Sequence, residues 1–210
     1  ISRIEVALRT YIAYTLSNKY KDSPTWFVDP AVMASTYIKD FDSGVYDAIK
    51  KKPVIRRHHK KYINDKYAPA WKTIEYMTFG NIENLYANLK SPADKLDICR
   101  HFGVNQTAIF ENYIKTIRTL RNTCAHGGVL FDMRLPMSIK NGPAGSLARV
   151  NGNNLCGSLK VVEFLIGTIS RNRLKELKSD IYGALSMLYS RNPDLEQTLK
   201  KTAGVLEYPK

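Results

Sequence analysis

Cysteine is scarce in this 210-residue chain. Cys99, Cys124 and Cys156 are the only three, widely spaced and without a C-x-x-C pair. The spacing suggests neither a disulfide framework nor a zinc site, so a reducing, cytoplasmic compartment is expected and no metal or other cofactor is called for. Long apolar runs are also lacking. The most apolar stretch, Val161 to Ile169, is interrupted by Glu163, Gly167 and Thr168, well short of the roughly 18 consecutive apolar residues of a membrane span, and no membrane partner is expected. There is no internal repeat. Acidic residues number 19 against 32 Lys and Arg. They form no local cluster of the kind two-metal phosphoryl chemistry needs, although scattered carboxylates can still converge in space. The chain opens at Ile1 with no initiator methionine, which leaves a preceding segment, a signal peptide included, an open matter.

What is present is an ordinary globular composition, 44% hydrophobic and 24% charged, enough to bury one substantial core. A single domain over residues 1–210 is the expectation. The net charge of +13 points to a polyanionic partner, nucleic acid above all, because such a field attracts phosphate at long range. A basic surface that merely keeps the protein in solution is the competing explanation.

Helical periodicity dominates. Ile4, Leu8, Tyr11, Ile12 and Leu16 recur at three- and four-residue steps and predict a helix from Ser2 to about Tyr20. Asp29-Pro30 has the form of an N-cap with proline in the first turn, opening a helix to about Lys39. A third helix is expected around Val45 to Lys52. Pro69 to Gly80 is expected to be a short helix closed by its glycine, with Trp71, Ile74 and Met77 in the core, followed by another through Leu85 and Leu89. Ser91-Pro92 with Asp94 starts a helix to about His101. Asn105 is a plausible cap for a long helix through Phe110, Ile114, Ile117 and Leu120 toward Gly127-Gly128. Between about 127 and 157 helical period is lost. A structureless loop of this length is unusual, and Asn151-Gly152, flanked by 148–150 and 153–156, has the sequence of a tight turn between short strands. Helical spacing returns at Leu159 and again at Leu177, and Asn192-Pro193-Asp194 introduces a last short helix. The fold class is all-α: a helical bundle carrying an irregular, hairpin-bearing insertion at about 127–157.

Two groups of residues could carry function. Lys50, Lys51, Lys52, Arg56, Arg57, Lys60 and Lys61, with His58 and His59 between them, make a patch able to track phosphates. A solvated surface explains the same string equally well, because nearby aromatics are limited to Tyr62 and Tyr67. The second group ends the long helix. On a wheel with about 100° per residue, Arg121 falls about 20° from Phe110, inside an apolar stripe that includes Ile114, Ile117, Leu120 and Cys124. An arginine there requires pairing with an acid such as Glu75 or Glu111, snorkelling, or a cleft. Asn122 and His126 share one face, with Arg118 a turn earlier. Arg121 and His126 are about 140° apart, so they converge only if the helix loosens at Gly127-Gly128, if the arginine wraps around, or if a symmetric dimer joins two copies. RNA cleavage through the 2′-hydroxyl needs proton removal, proton delivery and charge neutralisation on phosphorus. Imidazole, titrating ordinarily near about 6.5, serves the first two, Arg121 the third, and Asn122 a phosphate or imidazole hydrogen bond. Such a site needs no metal.

The string R-N-T-C-A-H after T-I-R-T-L resembles the Arg-x(4–6)-His motif of HEPN-type ribonucleases. Its surroundings resemble the Abi-like proteins of bacterial abortive infection, the AbiD/AbiF group, through I-S-R-I-E-V-A-L-R-T-Y-I-A-Y, P-A-W-K-T-I-E-Y-M-T-F-G-N-I-E-N-L-Y and H-F-G-V. The resemblance covers most of Ile1 to Leu135 and implies a HEPN-like bundle. Arg121 and His126 map onto the catalytic pair and Asn122 onto its polar companion. It further implies a toxin or phage-defence endoribonuclease, often a homodimer, or a non-catalytic module that binds a small structured non-coding RNA. Many relatives carry a second His after the motif; here that position is Gly127.

Overall fold

The computed structural model describes residues 1–148 and 151–204. The described residues are all-α, with two isolated backbone bridges, Met33 to Leu89 and Gly142 to Gly145, and no sheet. The chain gathers into two compact units, one of Ser2 and Ile4–His101, the other starting at Phe102 and taking in Ile1 and Arg3.

The N-terminal unit begins with α1 (Ser2–Lys19), whose Ile4, Leu8, Ile12 and Leu16 are completely buried at four-residue steps. After a single 3-10 turn (Trp26–Val28), the helix expected at Pro30 does not form. The Asp29 carboxylate accepts from Ala31 N–H at 2.8 Å and from the Ser23 hydroxyl at 3.0 Å, making a turn around the proline. Residues 32–34 then run beside 88–90, with Lys90 N–H donating to Val32 O and Ala34 N–H to Asn88 O. Tertiary pairing overrides the local capping signal. The helix starts instead at Ser35 as α2 (Ser35–Phe41), passes through a π turn (Asp42–Tyr46) and ends as α3 (Asp47–Ile49).

The basic string forms α4 (Pro53–Lys61), opened by Pro53 at its first position and anchored by buried Ile55 and His58. Its two histidines are structural. His58 Nε2 meets Asp65 Oδ2 at 3.0 Å and His59 Nε2 meets the Tyr46 hydroxyl at 2.8 Å. Tyr46 in turn accepts from Ala68 N–H and packs with Phe41 and Tyr67 in an aromatic cluster.

Pro69 to Gly80 breaks in two. A short α5 (Ala70–Thr73) and a 3-10 turn (Ile74–Tyr76) stop at extended Met77, and Thr78 caps α6 (Phe79–Ala87) by accepting from Asn81 N–H. Gly80 therefore lies in a first turn and closes nothing. Ile74 and Met77 are buried as expected, but Trp71 is 55% exposed. α7 (Pro92–Arg100) follows the expected Ser91 cap. Its Asp94 is fully buried, accepting from Lys19 Nζ and from the Tyr20 hydroxyl at 2.5 Å. Burial and this carboxylate push the Tyr20 phenol up to about 12.

The C-terminal unit is built on α8 (Thr107–Ala125), α9 (Leu155–Ile169), α10 (Arg171–Arg191) and α11 (Asp194–Thr202). α8 and α9 pack together, as do α9 and α10. Gln106, not Asn105, precedes α8, and it makes no side-chain cap. Described residues between α8 and α9 contain no hairpin: the expected second strand, 153–156, is the cap and first turn of α9, with Asn154 Oδ1 accepting from Gly157 N–H. The rest of that turn, Arg149 and Val150, lies outside the described residues. The segment is held by packing and by side-chain amides. Met133, Leu135, Ile139 and Leu147 are buried. Buried Asn112 of α8 donates to Ser138 O at 2.9 Å and accepts from Lys140 N–H at 2.8 Å. An irregular backbone is stable here because its polar groups have partners.

Candidate active site

The last buried member of the α8 stripe is Leu120. Beyond it, Arg121 is half-buried while Asn122, Cys124 and His126 are exposed. The wheel therefore extended the apolar face one turn too far: a helix end has no second layer to cover it. Arg121 needs no buried acid. Its Nη1 donates to Asn122 Oδ1 at 3.3 Å, and it pairs with no carboxylate among the described residues. His126 is exposed and makes no side-chain hydrogen bond among them. Arg118 is half-buried and already engaged.

The terminus is rigidly closed. His126 occupies the C-cap, Gly127 takes a left-handed φ of +66°, Gly128 N–H donates to Thr123 O at 2.7 Å and Gly127 N–H to Cys124 O at 3.3 Å. This is a Schellman closure, and it calls for glycine at 127 because a Cβ is strained at that φ. The helix does not loosen before the glycines. Arg121 and His126 accordingly remain about 140° apart around α8.

The second candidate group sits in the N-terminal unit. Lys51, Lys52, Arg56, Arg57, Lys60 and Lys61 are exposed; exposed Lys50 pairs with Asp47 at 2.5 Å. α4 buries Ile55 and His58 and leaves its cations exposed. Exposed Tyr62 lies beneath Lys61 Nζ, 5.2 Å from the ring centre. Among the described residues no three His, Cys, Asp or Glu side chains gather as metal ligands, and all three cysteines are free thiols. No helix among them is long and apolar enough to cross a membrane.

Fold and site define an all-helical protein that displays an arginine, an amide and an imidazole at one open helix end. The profile of the Abi-like protein family matches residues 1–132, which include that helix end, and the chain belongs to this family, named for abortive infection. No curated protein and no solved structure matches the chain.

Proposed function

We propose that the protein is a metal-independent endoribonuclease of abortive infection, acting in the cytosol as a HEPN-type homodimer. One observation carries this reading: at the end of α8, half-buried Arg121 bonds the Asn122 amide and exposed His126 makes no side-chain hydrogen bond, and among the described residues no acid occupies either. A guanidinium held by an amide is oriented to grip nonbridging phosphate oxygens. A solvent-facing imidazole can take the proton of a ribose 2′-hydroxyl, or return one to the departing 5′-oxygen. The 2′-oxygen then bonds to phosphorus as the P–O5′ bond breaks, leaving a 2′,3′-cyclic phosphate and a 5′-hydroxyl. Because the two side chains diverge around one helix, a two-fold pair of α8 ends supplies the shared cleft, each copy lending what the other lacks. The exposed cations of α4 offer a surface for the phosphates of the RNA strand.

His126→Ala is expected to abolish cleavage while RNA binding and the oligomer persist, and cleavage by the wild-type protein should survive EDTA. Cleavage by purified His126→Ala at the wild-type rate would rule the assignment out. The absence of a second histidine at Gly127 favours one alternative, a non-catalytic module bound to a small structured RNA. That reading expects nucleic acid to copurify, salt-sensitive binding and no cyclic-phosphate products.

A further inference from the structure

We infer that a groove in the N-terminal unit is a binding site for an unpaired purine base of an RNA strand. The inference shares with the ribonuclease reading the premise that RNA is the partner, but neither its residues nor its chemistry. The groove encloses about 760 Å³ and is lined by α1 and the α5 region, including Arg9, Tyr14, Asn18, Trp71 and Glu75. That volume takes a nucleoside with room for its phosphate and lies within the range of small-molecule sites.

Two aromatic rings line it, and both are uncovered: Tyr14 is 65% and Trp71 55% exposed. An indole left this open contributes little to the core. Its backbone nonetheless sits on a fixed frame, with Ala70 N–H donating to Pro24 O at 2.8 Å and the Thr73 hydroxyl to Ala68 O at 2.8 Å. A ring carried on a fixed backbone has few torsions to lose on stacking a base, and every base offers a π-face. Between the aromatics lie hydrogen-bonding groups. The Glu75 carboxylate can accept from an exocyclic amine, the Asn18 amide can donate and accept, and Arg9 brings a guanidinium to the lining. Its Nη2 is held by Glu5 Oε1 and Met77 O, while its buried Nε has no partner among the described residues. Exposed aromatic faces together with amide, carboxylate and guanidinium groups are the chemistry of single-stranded base recognition. A partner helix would instead require a continuous apolar stripe, which Thr10, Ser17 and Asn18 interrupt. The purine preference follows from stacking area, and the +13 charge favours a strand carrying phosphates over a neutral ligand.

Tryptophan fluorescence tests this directly, since Trp26 is fully buried and Trp71 alone faces the groove. Short oligoadenylate and oligouridylate are titrated into the full chain carrying His126→Ala, which keeps the RNA intact. Oligoadenylate is expected to quench Trp71 emission to saturation, and oligouridylate to do so more weakly. In the same background Trp71→Ala should weaken oligoadenylate binding about tenfold by anisotropy, whereas Trp71→Phe retains most of it. Circular dichroism should be unchanged, because the side chain is exposed. Oligoadenylate binding that leaves Trp71 emission and the Trp71→Ala affinity untouched overturns the groove while sparing the RNA partner. Emission that changes only with protein concentration assigns the groove to a second copy of the chain and also overturns it. If neither oligonucleotide binds, the groove inference fails, while the ribonuclease reading is decided separately by cleavage and its loss in His126→Ala.

Discussion

Asp94 shows how much one side chain can decide. Its carboxylate is wholly buried and accepts from Lys19 and Tyr20, while its backbone N–H donates to the Ser91 cap. Removing it leaves a cation and a phenol without their acceptor, so Asp94→Ala should cost about 3 kcal/mol of stability in a denaturant titration. His58 is the pH-sensitive counterpart. Burial, and to a lesser degree the charge of Lys72, lowers its pKa from the ordinary 6.5, only partly opposed by Asp65. The folded state thus binds this proton more weakly than the unfolded chain does. The resulting stability is complete above about 6.5 and is lost as the pH falls toward the lowered folded value. Between pH 7 and 5 the wild-type melting temperature should fall more steeply than that of His58→Gln. Equal slopes would show that the ring is not held neutral.

At the scale of elements, the closure of α8 matters most. Gly127 adopts φ +66° with open space where a Cβ would stand. The penalty for Gly127→Ala is therefore conformational alone, about 1 kcal/mol by thermal melting. Gly157 differs. A Cβ there would come within 1.9 Å of Asn151 O, so Gly157→Ala must displace the chain at the start of α9, and a loss several-fold larger than at Gly127 is expected. Local patterning predicted α1, α7 and α8 well: α1 through a periodic apolar face, α7 through its Ser91-Pro92 start, and α8 through a periodic face that stops at Gly127-Gly128. It failed at Asp29-Pro30 and at Gly80, where the deciding partners were Asn88 and Lys90 in one case and the Thr78 cap, two residues before the glycine, in the other. It also placed Trp71 in the core: a large apolar side chain in a four-residue helix carries no indication of which way it points.

For the whole molecule, the excess of cations is the property that reaches furthest. If the α4 cations hold RNA, each phosphate they neutralise contributes about 0.7 to the slope of log affinity against log salt. Replacing Arg56, Arg57, Lys60 and Lys61 together by Gln should flatten that slope by about 3. An unchanged slope would assign the RNA to another face. The structure supplies what charge counting cannot, namely that Ile55 and His58 anchor α4 from within and leave its cations outside.

The helical class, the basic character and the Arg121, Asn122, His126 string are legible in the order of residues, since periodicity, charge and local motifs need no knowledge of distant residues. It takes the folded chain to leave Arg121 half-buried with no acid beside it, to bind His58 and His59 to Asp65 and Tyr46, to pin the segment after α8 through Asn112, and to bring Trp71 and Tyr14 to one groove. Each of those outcomes depends on which remote groups come within hydrogen-bonding or packing distance, and separation along a chain does not encode separation in space.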